Sequence, residues 1–360
     1  MSDQTLLDVR NLTVAYRSAA KSIKALSNVN LTVGRSEIIA IVGESGSGKS
    51  TLGLSIINLL QKPPAVVDDG QILFNGKDLL KLSEKDLAGV RGTGISMIFQ
   101  DPLSSLDPVY TVGAQISEAI DIRERRAVPQ SPGPFKRVDP DLRPSAGGAE
   151  RVLWVRIPRS EKKKVYSDEV VEALRRVQIA DPERVLNRYP HQLSGGMAQR
   201  VMIAQAMVQR PSLLIADEPT SAVDVTTQAQ VLKLMRAMRK DQGSSILLIT
   251  HDLAVAAQVA DRVLVMYAGE MVELSDAARI FEKPLHPYTE GLLKSIPRKY
   301  LDEGELEAIP GDVPDLRDLP SGCRFHPRCK YAFDRCKVEH PELVEPELGR
   351  RVACFLRYPA

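Results

Sequence analysis

No apolar run in this 360-residue chain is long enough to cross a membrane. Segments such as IIAIVG at 38–43 and SILLIT at 245–250 fall far short of the about 20 residues that a spanning helix needs. The first residues, MSDQTLLDVR, lack the basic-then-apolar pattern of a secretory signal. The chain is therefore expected in the cytoplasm, with any membrane association made through a partner. It has no large excess of either charge sign. A formal net charge of +2 gives no reason to expect a nucleic-acid partner. Tryptophan occurs once, at Trp154, and cysteine is absent before residue 323. The four cysteines, Cys323, Cys329, Cys336 and Cys354, all fall in the last 38 residues. A cytosolic location makes structural disulfides an unsuitable reading for them, which leaves free thiols or a metal centre. With 43% hydrophobic and 26% charged residues, the composition is that of an ordinary globular protein.

The patterning that is present is mixed α/β. LLDVRNLTVAY at 6–16 and NVNLTV at 28–33 alternate apolar and polar residues, which predicts a small antiparallel sheet at the start. IIAIV at 38–42 is a continuous apolar run of the kind expected from a buried parallel strand. ISMIFQ (95–100), LLIAD (213–217), SILLIT (245–250) and RVLVMY (262–267) repeat that signature. They alternate with helical patterns at 170–180, 195–209, 226–241 and 252–260, which predicts a mostly parallel sheet with helices. Residues 121–164 break the pattern, with six prolines and twelve Lys or Arg against six Asp or Glu. A segment this long without periodicity reads as a solvated insert, RVLWVRI at 151–157 being its one apolar stretch. From about residue 281 the chain turns rich in Pro and Gly, which reads as a separate C-terminal module.

GESGSGKST at 43–51 follows one buried strand and precedes an apolar helix. It fits G-x-x-x-x-G-K-[ST] in the context that gives that motif its meaning. Gly43, Gly46 and Gly48, with Glu44, Ser45 and Ser47 between them, let successive N–H groups turn inward around an anion. The helix N-terminus beyond adds partial positive charge. In this reading Lys49 bridges the β- and γ-phosphates of a nucleotide, and Ser50, next to Thr51, ligates Mg²⁺.

LLIADEP ends a buried strand on two carboxylates. Neighbouring residues on a strand point to opposite sides, so Asp217 suits the Mg²⁺ shell while Glu218 faces a lytic water as general base or orienting group. The same pair before Pro219 would also suit a helix start. His251 after SILLIT and Gln100 after ISMIF stand at strand ends, the edge where parallel sheets bind ligands. His251 suits a γ-phosphate contact, and Gln100 suits sensing Mg²⁺ and the water. Tyr16, at the end of the first strand pattern, suits stacking on adenine. Further on, LSGGM at 193–197 opens an apolar helix, with Ser194 as N-cap and Gly195 and Gly196 exposing N–H groups. It is a second anion cradle in a chain with no repeated unit, which points to two nucleotides shared across a dimer.

The order Tyr16, GESGSGKST, Gln100, LSGGM, LLIADEP, SAVD and His251 resembles the ATP-binding subunits of ABC transporters over residues 1 to about 280. That resemblance implies a P-loop NTPase core of ABC type with an N-terminal antiparallel β subdomain and a helical subdomain at about 101–210. It implies Gln100 as a hinge, Ser194, Gly195 and Gly196 on the partner's γ-phosphate, and Asp224 at the dimer interface. QDPLSSLDP (100–108), YPHQLSGGMAQR (189–200), HPYTEGLLKSIP (286–297) and the GC-x-F-x-P-R-C tail look like the oligopeptide/dipeptide (and nickel) importer family. This implies a small C-terminal module over 281–360. It also implies a second, usually non-identical ATPase subunit, two permease subunits and a substrate-binding protein. The chain would then sit peripherally on the cytoplasmic face of the inner membrane. Peptides are the expected cargo, with nickel, opines or other small solutes as the alternative, and a non-transport ABC ATPase as a more distant one. The sequence departs from the family at Ser36, where Gly is common, at SAVD in place of SALD, and in the length of the 121–164 insert.

The cysteine spacing C-x5-C-x6-C-x17-C is not the paired C-x2-C of zinc ribbons. Four thiolates in a segment with little core suit a [4Fe–4S] cluster held by Cys323, Cys329, Cys336 and Cys354, and the resemblance agrees. Zinc and unligated thiols remain the other readings.

Overall fold

The computed structural model describes residues 5–18, 22–127, 135–137, 154–156, 159–221, 225–295 and 308–357. In chain order its strands are β1 (Thr5–Arg17), β2 (Ser22–Gly34), β3 (Ile38–Val42), β4 (Ala65–Phe74), β5 (Lys77–Asp78), β6 (Ile95–Ile98), β7 (Phe135–Arg137), β8 (Trp154–Arg156), β9 (Leu213–Asp217), β10 (Ser245–Thr250), β11 (Arg262–Tyr267), β12 (Glu270–Asp276), β13 (Val344–Glu347) and β14 (Arg350–Val352). An antiparallel sheet in the order β2-β1-β4-β5 lies beside an eight-stranded sheet in the order β13-β14-β12-β11-β3-β10-β9-β6. The run β11-β3-β10-β9-β6 is parallel throughout. Every residue of β3, β9 and β10 is buried, which is why these strands are unbroken apolar runs.

One core lies between the two sheets and the helix Lys49–Ile56, built on Leu7, Leu31, Ile41, Leu52 and Ile249. A second lies where helices Val112–Ala127, Arg159–Arg176 and Gly195–Val208 pack over the other face, through Ile116, Leu174 and Val201. The chain leaves this helical layer at residue 127 and returns at 159. Arg123 joins the two flanking helices with a bidentate bond to Glu169 at 2.7 and 3.1 Å, and donates to the Val208 carbonyl at 2.8 Å. Of the expected insert, the described parts are the helix ends and the β7–β8 pair. The Trp154 side chain lies outside the described residues.

Two expectations are corrected in detail. ISMIFQ is a strand only over 95–98, so Gln100 stands two residues beyond it. The helix read at 170–180 begins at Arg159 and ends at Arg176. The C-terminal residues are also joined to the main sheet, because β14 pairs with β12 (Glu273↔Val352) and Phe325 is buried against Tyr267 and Tyr288. Ser36, where the related family has Gly, holds a left-handed turn at φ 53, and its hydroxyl donates to the Gly243 carbonyl at 3.1 Å.

Candidate functional site

The site is built at the C-terminal edge of the parallel strands. The loop 43–48 leaves β3 and closes on the helix starting at Lys49, with Gly48 as its N-cap at φ 99. Gly43 has φ 150, and a Cβ there would lie 2.2 Å from the Met266 carbonyl oxygen, so no side chain fits. The Lys49 ammonium donates to the carbonyls of Gly43 at 2.8 Å and Glu44 at 2.9 Å, and reaches Ser47 Oγ at 3.4 Å. Burial lowers its pKa, while the nearby carboxylates of Glu218, Asp217 and Glu44 oppose that shift. A basic group surrounded by backbone dipoles and acids is suited to a polyanion carrying a metal.

Register brings the acids to the same edge. β9 and β10 pair in parallel with Asp217 opposite Ile249, and Thr250 lies opposite Val42 of β3. Asp217 is buried, which raises its pKa, and a hydrogen bond from Ser50 works against the rise. Its Oδ1 has no hydrogen-bond partner. A buried, unpartnered carboxylate oxygen beside a serine hydroxyl is the donor set that Mg²⁺ takes with a nucleotide, so the residues present fit that ion. The next residue, Glu218, turns back with φ 47, and its N–H donates to the Ile249 carbonyl at 2.9 Å. A non-glycine residue held in that region carries backbone strain of the kind found at functional sites. Glu218 Oε1 lies 3.0 Å from His251 Nδ1. The structure thus brings together Lys49, Ser50, Asp217, Glu218 and His251.

Tyr16 reaches the first turn of the helix after that loop, its hydroxyl 3.5 Å from Thr51 Oγ1. Gln100 is exposed just past β6, whose Ile98 pairs with Ala216, so it is at the same edge. Ser194 caps the helix Gly195–Val208, its Oγ accepting from the Met197 N–H at 3.3 Å. Gly195 and Gly196 have open space where a side chain would be. Asp224 lies outside the described residues.

Two groups of contacts had no signal in the motifs. The Gln199 amide, buried one turn after LSGG, donates to the Pro219 carbonyl next to Glu218. Glu44, an unspecified position of the phosphate loop, is bound by Tyr288 and Arg328 from the C-terminal residues. The only sign of Arg328 in the sequence is its place just before Cys329.

The four cysteines line one small, largely apolar cavity together with His286 and Phe325. Burial pushes the Cys323 thiol up to about 12 and the Cys354 thiol up to about 11, and the charges of Cys329 and Cys336 add to both shifts. None of the four is joined in a disulfide. Among the described residues no group of three or more His, Cys, Asp or Glu is arranged to hold a metal ion.

Comparison with known proteins gives the chain's relatives. The family model described as ABC transporter matches residues 26–221, and that described as oligopeptide/dipeptide transporter, C-terminal region, matches 272–336. The oligopeptide transport ATP-binding protein AppD of Bacillus subtilis is 44% identical over 352 residues, covering 98% of this chain and 97% of that protein. The dipeptide transport ATP-binding protein DppD of Escherichia coli is 42% identical over 354 residues, with 98% and 97% covered. Among solved structures, a dimeric, post-hydrolysis ATP-binding cassette bound to ADP and phosphate, MJ0796, is similar at TM-score 0.59 and 27% identity, covering 76% of this chain and 99% of that one. CbiO1 of Clostridium perfringens, part of an ABC transporter complex, is similar at TM-score 0.55 and 28% identity, with 78% and 93% covered.

Proposed function

The chain belongs to the ABC transporter ATP-binding family, and from that premise we propose that it binds and hydrolyses ATP to energise an importer of di- or oligopeptides. The observation that carries the reading is the single edge at which the phosphate loop, the Ser50–Asp217 pair and the Glu218–His251 pair meet. Backbone N–H groups of the phosphate loop other than that of Glu44, which is taken by Tyr288, bind the phosphates together with Lys49. Ser50 and Asp217 would hold Mg²⁺, which would supply charge neutralisation to the phosphates during transfer. Glu218 accepts the proton of, or orients, the attacking water. His251 fixes the Glu218 carboxylate and contacts the γ-phosphate, Gln100 senses the filled site, and Tyr16 stacks on the base.

Ser194, Gly195 and Gly196 belong, in this reading, to the site of a second ATPase subunit, most simply a non-identical homologue. Support comes from their helix start, which makes its own hydrogen bond rather than one to the phosphate loop, and from the dimeric state named for a similar cassette. Two permease subunits would dock near Gln100, where Leu103, Val109 and Tyr110 are exposed apolar side chains. No helix among the described residues is long and apolar enough to cross a membrane, which fits a peripheral subunit on the cytoplasmic face. A substrate-binding protein would act through the permease. We divide the chain into an ATPase domain at 1–280 and a C-terminal module at 281–360. The test is uptake of a labelled dipeptide by cells in which Lys49→Ala replaces the wild type. Uptake is expected to be lost, and undiminished uptake overturns the reading.

We further propose that Cys323, Cys329, Cys336 and Cys354 hold a [4Fe–4S] cluster. Support comes from four sulfur donors round one apolar cavity and from a cluster's need for four thiolates spaced more widely than the ligands of a single ion. Iron content and visible absorption of anaerobically purified protein decide; a colourless, iron-free preparation rules the cluster out.

A further inference from the structure

The phosphate loop is held from outside by a part of the chain that the nucleotide chemistry does not require. Arg328 donates both guanidinium ends to Glu44, at 2.8 Å from Nη1 to Oε2 and 3.0 Å from Nη2 to Oε1. Its Nε donates to the Pro310 carbonyl at 2.9 Å, and Nη1 reaches the Tyr267 hydroxyl at 3.4 Å. The Arg328 side chain is only 5% exposed, against 32% for Glu44. The Glu44 N–H donates to the Tyr288 hydroxyl at 2.9 Å, so it points away from the phosphate cradle. Arg328 ends a single turn, His326–Arg328, bracketed by Cys323 and Cys329. That turn is closed by the N–H groups of His326 and Cys329, which donate to Cys323 and His326.

We propose that Arg328 is a positioning residue of the ATP site: it cancels the charge of Glu44 beside the phosphates and so couples the cysteine-bearing C-terminal residues to nucleotide binding. The inference rests on the ATP-site reading above. A carboxylate in the phosphate loop works against a polyanion unless it is paired. The field of Glu44 reaches the phosphate-binding amine, since it is one of the charges acting on Lys49. A bidentate, desolvated guanidinium is the geometry that pairs a carboxylate most completely. A purely architectural Arg328 would matter equally whether or not Glu44 carried its charge.

That difference is the test. Binding of a fluorescent ATP analogue with Mg²⁺ is measured on the full chain for Arg328→Ala, Glu44→Gln and the double variant, with Lys49→Ala as control. Arg328→Ala is expected to weaken binding about tenfold, inside the range of about 5–150-fold common for coupled sites. Adding Glu44→Gln is expected to bring the affinity back to within roughly twofold of wild type, the scatter of independent effects. Wild-type binding by Arg328→Ala overturns the inference, and so does a double variant as weak as Arg328→Ala. If Arg328→Ala does not fold, Arg328→Gln replaces it in the same cycle, with the same two outcomes. Unchanged binding by Lys49→Ala would mean instead that the ATP-site reading has failed.

Discussion

His251 Nδ1 lies 3.0 Å from Glu218 Oε1, joining the ends of two neighbouring parallel strands across the mouth of the site. Glu218 is 15% exposed and His251 61% exposed, so the imidazole lies on the open side of the carboxylate. The Glu218 backbone is pinned by its bond to Ile249 and by a left-handed turn. Its carboxylate is therefore aimed from both ends.

That arrangement predicts a separation of binding from turnover. Glu218→Gln keeps the shape but cannot take a proton, so phosphate release by the assembled transporter should fall by about 10²–10⁴. Nucleotide affinity should stay near the wild-type value. His251→Ala should also lower turnover while leaving affinity intact. Turnover by Glu218→Gln within twofold of wild type would refute the base assignment.

Asp217 predicts a conflict between function and stability. Burial raises its pKa from the ordinary 3.8. An acid raised in the folded state costs stability as pH climbs from below its unfolded pKa through the folded value, and the cost persists at neutral pH. Asp217→Asn removes the charge, so the nucleotide-free protein should melt at a higher temperature. The extra stabilisation that Mg²⁺ gives to ATP-bound protein should disappear in the same variant. Thermal melts with ATP, with and without Mg²⁺, measure both. A lower melting temperature without ligand would contradict the burial argument.

The strands β3, β9, β10 and β11 were legible to the residue because burial on both faces leaves little but Ile, Leu, Val and Ala. β4 was not, because Asp68, Asp69 and Gly70 sit in its middle at an irregularity of register with β1. β12 was hidden by Glu273, which reads as a surface charge. It is fully buried because it accepts N–H bonds from Leu285 and His286 and faces Arg350 at 3.6 Å. The placement of Asp217, Glu218 and His251 was legible because each sits at or just past the end of a readable strand, and that of the phosphate loop and LSGGM because each opens an apolar helix. The Arg328–Glu44 pair was not, since 284 residues separate its members and no local pattern marks either one.

Arg123 predicts how the helical layer survives its long interruption. It is 16% exposed and satisfies both Glu169 and the Val208 carbonyl, bridging the helices on either side of the insert. Arg123→Met keeps much of the stem packing but strands these acceptors. Because Glu169 is 30% exposed and water can reach it, the expected loss is about 1 kcal/mol, the low end of the cost of an unpaired polar group. Denaturant unfolding measures it. A variant as stable as wild type would mean that water or another side chain replaces the guanidinium.

His340 predicts a pH dependence located at the C-terminal end of the fold. Its Nε2 lies 2.8 Å from Glu270 Oε2, the first residue of β12, while Arg324 holds the other carboxylate oxygen at 2.8 Å. The bond to Glu270 raises the His340 pKa above the ordinary 6.5, Glu342 adds to the rise, and burial and Arg324 oppose it. A histidine raised on folding contributes stability that is fully present below its unfolded pKa. That contribution is lost as pH rises through the folded value. The wild type should therefore lose stability on going from below pH 6.5 upward through the raised pKa, by more than His340→Gln does. Because His340 is about half exposed, solvent keeps the effect small. The measurement is the difference between the two unfolding profiles across that window. Parallel profiles would show that Glu270 is already neutralised by Arg324 and gains nothing from the imidazolium.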